Sequence, residues 1–375
     1  MPSVLGSPVI IDCGSGITKA GTIDDDIPTA IFSSLVARKK DCLEETLVGS
    51  QIQSSLGNLL FSHPIQDGIV QNWDDVERLW RFSFEMIKEN PEDHSVLLSD
   101  CVQSHKLQRE LTAQIMFESL GVHGLFLAPT TLLSLYSSGK ISGVVVECGH
   151  EVTSIAPYVD GMSVSHSIQR YSFGGRNLTE KIREEFTRIK EKSKTLDYFF
   201  KGTELQTVRA IQDVKEKLAQ CLSSQNRDSF SAVEKATYEL PDGKTIDVPL
   251  TPFLNCGESF FEPQLCAKDF VGLHESILNC VLNYEVDNRK DLFSNIVLCG
   301  GTGMMKGLAD RIQEEVQSMV PLGNEVLVSA QADRHYSVWI GGQILASMNL
   351  FDKLWCDKAE YDESGGFCSR FIQFY

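Results

Sequence analysis

Two acidic residues in this chain each follow an apolar run and stand just before a glycine turn. Asp12 precedes Gly14-Ser15-Gly16, and Glu147 precedes Gly149-His150-Glu151. Glycine lets backbone N–H groups come close to a phosphate. The repeated pattern therefore predicts a duplicated domain with a phosphate site between its halves. The second copy departs from the first, because Glu151 stands where a small residue is expected.

The elements around these turns repeat as well. From Gly143 the chain repeats the order strand, glycine turn, strand and helix. A third turn, Gly300-Gly301-Thr302-Gly303, follows an apolar strand and is predicted to open a helix over Gly307–Met319. No linker or low-complexity tract separates the halves, so we expect them to interleave and to share a cleft.

Hydrophobic periodicity predicts the elements that position the turns. Helices are predicted over Asp74–Lys88, behind an Asp N-cap, and over Gln108–Leu120, and Pro129 stands near the start of a third. Residues 38–50 are polar and turn-prone, which indicates an exposed loop. Residues 180–201 carry an apolar stripe that indicates a solvated helix packed on the core, with a partner site as the alternative.

Length, charge and cysteine usage limit the kind of protein. The 375 residues, 42% hydrophobic and 23% charged, suffice for two domains with their own cores. A formal net charge of −17 disfavours direct contact with nucleic acid or anionic lipid. No apolar run reaches about 18 residues and the N-terminus lacks a signal-peptide pattern, so we expect no membrane contact and a place in the cytoplasm or nucleus. The 11 cysteines are scattered singly, which predicts neither a disulfide framework nor a zinc site.

Several blocks in a fixed order carry a resemblance to a known family. They are Gly68–Asp75, Leu133–Gly139, Lys215–Leu218, Tyr238–Gly243, Arg289–Leu292 with 300–302, Tyr336–Gly342 and Glu360–Gly365. In these blocks the chain resembles the actin family, within the superfamily that includes Hsp70 and sugar kinases, nearly from end to end. Kinases and Hsp70 lack the blocks around Trp339 and Tyr361. The chain is thus similar to a divergent actin-related protein rather than to a conventional actin.

The resemblance implies an α/β actin-like fold, with duplicated ribonuclease-H-like domains around a nucleotide cleft and four subdomains. The expected boundaries are 1–33, 64–137 and 337–375 for subdomain 1, 34–63 with a shortened loop for subdomain 2, 138–173 and 269–336 for subdomain 3, and 174–268 for subdomain 4.

It also implies ATP or ADP with Mg or Ca in the cleft, bound weakly or absent. Asp12 and Glu147 match the acids that hold the metal through water, and Lys19 matches the lysine that neutralises phosphate charge. His335 stands where actins have a lysine packed over the adenine, and an imidazole can still stack there. The other matching positions are Gly14, Ser15 and Gly16 in the first phosphate loop, Gly149 and His150 in the second, and Gly175, Lys215, Glu216, Gly300, Gly301, Thr302 and Met304 in the ribose and adenine walls.

The reactive end of the cleft departs from the family pattern. Thr130 stands at the glutamine that orients the attacking water, and Ser154 at the histidine that assists proton transfer. A threonine hydroxyl is too short to reach that water, and serine has no usable basicity near pH 7. Glu147 replaces an aspartate and moves the carboxylate by one methylene. We therefore expect residual hydrolysis at most, and no working enzyme.

His150 and Glu151 replace an aspartate and a glycine of the second phosphate loop. A carboxylate about 4 Å from a phosphate costs on the order of 4 kcal/mol at an effective dielectric near 20. We therefore expect Glu151 to weaken nucleotide binding, up to about a thousandfold, and Glu151→Gly to tighten it. The cost is smaller if Glu151 points outward or if a protonated His150 offsets it.

The filament contacts of the family are also changed. The segment from Arg38 to Gly49 is shorter than the loop that actins insert into the next subunit, and Lys268 replaces an apolar residue in the loop that bridges the two filament strands. Asp67 stands at the histidine that actins often methylate. In contrast, the groove near Tyr136 and Ile344–Phe351 keeps the apolar character that partners use for an inserted helix.

These departures predict an actin-related protein with a degenerate ATPase site, acting as a structural or adaptor component of a cytoskeletal assembly. Protein partners are expected, with actin or other actin-related subunits among them. The main alternative is a filament-forming, ATP-binding actin-like protein with altered contacts. A subunit of a nuclear actin-related complex and, more distantly, a superfamily kinase remain open.

Overall fold

The computed structural model describes residues 6–40, 42–53, 59–190, 194–224, 235–348 and 351–364. The strands in these ranges are β1 Val9–Cys13, β2 Ile17–Thr22, β3 Ala30–Ser33, β4 Val36–Lys39, β5 Cys42–Val48, β6 Leu59–Ser62, β7 Ile65–Gln66, β8 Ile69–Val70, β9 Ser95–Asp100, β10 Gly124–Pro129, β11 Gly143–Cys148, β12 Thr153–Tyr158, β13 Gln169–Tyr171, β14 Lys235–Glu239, β15 Thr245–Pro249, β16 Ile296–Cys299, β17 Val328–Ser329 and β18 Cys356–Asp357. The α-helices are α1 Ser50–Gln53, α2 Trp73–Ile87, α3 Lys106–Gln114, α4 Thr130–Ser137, α5 Gly175–Lys190, α6 Glu204–Leu218, α7 Thr251–Glu258, α8 Leu273–Leu282, α9 Arg289–Phe293, α10 Leu308–Met319, α11 Ser337–Ala346 and α12 Lys358–Glu363.

The two large sheets share one strand order. The first runs β3-β2-β1-β9-β10-β18 and the second β13-β12-β11-β16-β17. In each, an antiparallel meander leads to a strand that pairs in parallel with the next, β1 with β9 and β11 with β16. This repeat agrees with the duplicated α/β architecture expected from the sequence. We call the part built on the first sheet (β1–β10, α1–α4, α11, β18 and α12) lobe 1, and the part built on the second (β11–β17 and α5–α10) lobe 2.

Two helices connect the lobes. Helix α4 lies between β10 of the first sheet and β11 of the second, and α11 lies between β17 and β18. The two helices pack so closely that a Cβ atom on Gly341 would lie 1.7 Å from the carbonyl oxygen of Leu133. Only glycine fits there, because any side chain would overlap the backbone of α4.

Each lobe has its own apolar core. The β-branched runs of β1 and β11 are fully buried at the centre of their sheets, and burying each such side chain contributes roughly 1.5–3 kcal/mol. In lobe 2, Ile182 and Phe186 of α5 belong to the core cluster. The apolar stripe of residues 180–201 is thus a core face of α5, followed by a 3₁₀ segment over Lys194–Phe200; residues 191–193 lie outside the described ranges.

The prediction of an exposed loop over residues 38–50 is wrong. Strands β4 and β5 pair in an antiparallel hairpin, with Val36 opposite Val48 and Ala37 opposite Leu47. With β6 they form a separate three-stranded sheet over a small apolar cluster. The turn-prone composition was misleading because Glu44 and Glu45 of β5 are exposed polar side chains, as in a loop; Asp41 is not among the described residues.

The predicted helices exist with shifted ends. Helix α2 begins at Trp73, and its N-cap is Asn72, whose side chain accepts the N–H of Asp75. The expected Asp N-cap is therefore wrong, because asparagine provides the same capping acceptor earlier. Helix α3 begins at Lys106 and continues as a π-helical segment over Ile115–Leu120, whereas α4 follows Pro129 and α10 ends at Met319 as predicted.

Candidate functional site

A cleft of about 1870 Å³ lies between the lobes. It is lined by every residue that the sequence analysis assigned to the nucleotide, the metal or the reactive end: Asp12, Gly14, Ser15, Gly16, Lys19, Thr130, Glu147, Gly149, His150, Ser154, Gly175, Lys215, Glu216, Gly300, Gly301, Thr302, Met304 and His335. The three glycine turns thus meet at one cleft.

The first turn carries a buried ion pair. Asp12 is 5% exposed, and its cross-strand neighbour Lys19 donates from Nζ to Oδ2 at 2.9 Å. Ser99, at the end of β9, donates to the other carboxylate oxygen at 2.9 Å. Both oxygens of Asp12 are therefore held in place, and the ammonium group of Lys19 lies beside the turn.

The second turn holds its acid differently. Glu147 lies opposite Ser154 across β11 and β12, and Thr130 donates from Oγ1 to its Oε2 at 2.6 Å. Burial raises the pKa of Glu147 to about 7; the charge of Asp12 acts in the same direction, and the Thr130 hydrogen bond acts against it. The Thr130 hydroxyl thus orients a carboxyl group rather than a water molecule.

His150 lies where the two turns approach each other. A Cβ atom on Gly16 would stand 2.7 Å from Cγ of His150, so the imidazole packs against the first turn. Burial lowers the pKa of His150 to about 4, and the charges of Lys215, Arg176 and His63 add to this. The imidazole is therefore neutral at pH 7. The expectation that a protonated His150 could offset negative charge is wrong.

Glu151 does not face the cleft. Its side chain is buried, with Oε1 accepting from Nη1 of Arg176 at 2.5 Å and Oε2 accepting from the N–H of Asp67 at 2.8 Å. The expected repulsion of a phosphate is therefore wrong, and Glu151→Gly has no electrostatic reason to tighten nucleotide binding. The physical cause is that a buried carboxylate turns towards a cation and a backbone donor when they are in reach.

The third turn is tied to the second by tight backbone contacts. Gly300 has a φ of +87°, and a Cβ atom on it would lie 2.4 Å from the carbonyl oxygen of Cys148. Thr302 donates from Oγ1 to the carbonyl oxygen of Gly149 at 2.6 Å. These contacts fix the two turns of lobe 2 relative to each other.

The opposite wall of lobe 2 is made by α5 and α6. Lys215 is buried and donates from Nζ to the carbonyl oxygen of Gly175 at 2.9 Å and to Thr179 at 3.0 Å, and burial lowers its pKa. Its ammonium group is thus held by the helix start rather than turned freely into the cleft. Glu216 and Met304 are exposed at the rim.

His335 offers an unsatisfied polar atom. Its Nδ1 is buried and has no hydrogen-bond partner within the described ranges. The ring lies 3.8 Å from that of Tyr336, and burial lowers the pKa of His335. A buried polar atom without a partner beside a cleft fits a ligand that supplies one.

The donor set decides how a metal could be held. Among the described residues, no group of three or more His, Cys, Asp and Glu side chains could hold a metal ion. Asp12 and Glu147 supply hard oxygen atoms, which suit Mg or Ca held mainly through water and phosphate oxygens. The residues present therefore fit a nucleotide with its divalent cation, and would not fit a metal without one.

A comparison with models of protein families shows which family the chain belongs to. The family model described as Actin matches residues 6–370 of this 375-residue chain. The chain belongs to the actin family. The resemblance and the actin-like fold predicted from the sequence are thus confirmed, and nucleotide with a divalent cation is the ligand general to this family. No helix within the described ranges of this actin-family protein is long and apolar enough to cross a membrane.

Several contacts of the site were missed from the sequence. Ser99 was not singled out, although it is the next-to-last residue of β9 and lies beside the first turn. The pairing of Glu151 with Arg176 and with the backbone of Asp67 was also missed. Asp67-Gly68 is a strong hairpin-turn signal, which could have indicated a projecting tip but not its partner.

The expected partner groove is only partly apolar at its surface. Ile344 and Met348 are 37% and 49% exposed, whereas Phe351 is 1% exposed and packs in the core of lobe 1. Tyr136 is half-buried nearby. Asn349 and Leu350 lie outside the described residues; among those described in this segment, the exposed apolar side chains are Ile344 and Met348.

Proposed function

We propose that this actin-family protein binds ADP or ATP with Mg or Ca, hydrolyses ATP very slowly, and works as a structural or adaptor component of a cytoskeletal assembly. One observation carries the proposal: Thr130 donates its hydroxyl to Glu147 at 2.6 Å. The side chain at the water-orienting position is thereby committed to a carboxyl group. Ser154 offers no base beside it.

The proposed roles follow the chemistry of each group. Asp12 and Glu147 would hold the metal through water, Lys19 would neutralise phosphate charge, and His335 would pack against the base. The glycine turns would supply backbone N–H groups to the phosphates. We also propose the four subdomain boundaries stated above, with the β4–β6 sheet as the body of the small second subdomain.

The nucleotide content of protein purified without added ATP tests binding, and single-turnover phosphate release with Mg-ATP tests hydrolysis. We expect bound nucleotide and a release rate far below that of filamentous actin. The double variant Thr130→Gln with Ser154→His should release phosphate faster, because it restores a group that orients water and one that accepts a proton. A wild-type rate equal to that of filamentous actin would contradict the proposed loss of hydrolysis.

The proposed adaptor role requires partner binding without self-assembly. Lys268 places a charge in the loop expected to bridge filament strands, and losing a few hundred Å² of apolar contact forfeits several kcal/mol at about 25 cal/mol per Å². We expect a monomer that binds partners at Ile344 and Met348, in the cytoplasm, on the cytoskeleton or in the nucleus. Ordered two-stranded filaments at micromolar protein in Mg-ATP, seen by sedimentation and electron microscopy, would favour the filament-forming alternative.

A further inference from the structure

A turn of lobe 1 is held by side chains of lobe 2. Asp67 and Gly68 join β7 and β8, with φ values of 48° and 66°, as a two-residue hairpin turn requires. The Asp67 N–H donates to Oε2 of Glu151 at 2.8 Å, and the Asp67 carbonyl oxygen accepts from Nη2 of Arg170. Both backbone polar groups of one residue thus end on the opposite lobe.

The turn also fits tightly between its neighbours. A Cβ atom on Gly68 would lie 2.8 Å from Sγ of Cys101 and 3.0 Å from Nη2 of Arg170. Glycine at this position therefore serves both the left-handed backbone and the close approach of the other lobe.

Glu151 is itself anchored within lobe 2. Its second oxygen accepts from Arg176, whose Nε also donates to the exposed Glu180 at 3.2 Å. Glu151 is 5% exposed in this closed arrangement, and separating the lobes would break the hydrogen bonds of Glu151 and Arg170 to the backbone of Asp67. Hydrogen bonds that involve a charged group are stronger than those between neutral groups.

We propose that Glu151, Arg170, Arg176 and the Asp67-Gly68 turn form a clasp that holds the two lobes together in the absence of nucleotide. On the inner side, His150 packs against Gly16, which brings the two phosphate turns together in the same closed arrangement. Closure then depends on contacts of the protein itself. All groups of the clasp belong to the protein, so the clasp needs neither bound nucleotide nor its hydrolysis.

Hydrogen exchange of nucleotide-free protein tests the clasp. Glu151→Ala removes the acceptor of the Asp67 N–H and leaves Arg176 paired with Glu180, so the peptide containing Asp67 should exchange roughly tenfold faster or more. Glu151→Gln keeps an acceptor but loses the charge, and should give a smaller acceleration. The matched control is Glu180→Ala, which removes the other partner of Arg176 without touching lobe 1 and should leave this peptide unchanged.

Small-angle scattering gives a second measurement. Wild-type protein should have the same radius of gyration without nucleotide and with Mg-ADP, and Glu151→Ala without nucleotide should be larger. If Glu151→Ala does not fold, Glu151→Gln provides both measurements. Equal exchange at Asp67 in wild type and in the folded Glu151 variant, equal acceleration by Glu180→Ala, or opening of the wild type when nucleotide is removed would each overturn the proposal.

Discussion

The first and second glycine turns occupy equivalent places in two sheets of the same order, yet they hold their acids differently. Asp12 faces Lys19 across β1 and β2, whereas Glu147 faces Ser154 across β11 and β12. The first acid lies in an ion pair. The second is a buried carboxyl group whose pKa is raised to about 7. Both copies have the same strand arrangement, but only the first places a positively charged residue, Lys19, opposite the acid.

The residues that follow each acid also differ between the two copies, in side-chain size and direction. In the first copy Gly14, Ser15 and Gly16 leave the backbone open to the cleft. In the second copy His150 fills the space against Gly16 as a neutral ring, and Glu151 turns away to Arg176. The first turn is thus suited to binding a ligand, and the second to holding the lobes.

The largest effect is expected from a substitution of Lys19, the ion-pair partner of Asp12. Lys19→Met leaves Asp12 buried without its ion-pair partner, so the free energy of unfolding should fall by about 3–5 kcal/mol, and nucleotide binding should be lost. Ser154→Ala changes the equivalent register position of the second copy and should cost about 1 kcal/mol or less. Urea unfolding of both variants measures the difference; equal losses would show that the two positions are not distinguished by charge.

A smaller effect is expected from Thr130. Thr130→Val removes the hydroxyl that donates to Glu147, so it should raise the pKa of that carboxyl group further and cost about 1–3 kcal/mol at pH 8. The cost should shrink at pH 5.5, where the carboxyl group is protonated.

Thr131→Val is the matched control for Thr130→Val, because Thr131 is buried and bonds the neutral hydroxyl of Tyr158 at 2.8 Å. Its cost should not change between the two pH values. In the wild type, the Glu147 contribution to the free energy of unfolding is largest below pH 4.5 and is lost as pH rises through about 7, because the folded pKa is the higher one. A Thr130→Val cost that is independent of pH would contradict this assignment.

The smallest effect concerns His150. Its folded pKa, about 4, is below the ordinary 6.5, so its contribution to stability is present above pH 6.5 and is lost as pH falls through 4. His150→Gln should therefore lose less stability than wild type between pH 7 and pH 5, by on the order of 1 kcal/mol. The exposed His166 gives the control variant His166→Gln, and parallel pH profiles for wild type and His150→Gln would rule out a buried neutral imidazole.

The sequence was sufficient for the features that repeat or follow a short period. The two acid-and-glycine patterns predicted the duplicated sheets, because β-branched runs before glycine turns recur at equivalent strand positions. Most residues of the cleft were predicted instead from the resemblance to the actin family, by matching positions of this chain to the family's motifs. The prediction of a loop over residues 38–50 was wrong because exposed polar side chains on a small sheet resemble those of a loop.

The direction of single side chains could not be predicted. Glu151 was placed beside a phosphate by its position in the turn, but its partner Asp67 lies 84 residues away. The neutral state of His150 depends on its burial and on the charges of Lys215 and Arg176, which belong to helices α5 and α6. Such effects depend on packing between distant segments, which the local pattern does not contain.

The close packing at Gly341 has a mechanical consequence for the whole molecule. The chain enters lobe 2 through α4 and returns through α11, and these helices touch backbone to backbone with no room for even a methyl group. Packing this close resists sliding of one helix along the other. By geometry, a small rotation about this contact would move the far side of the cleft through a larger distance.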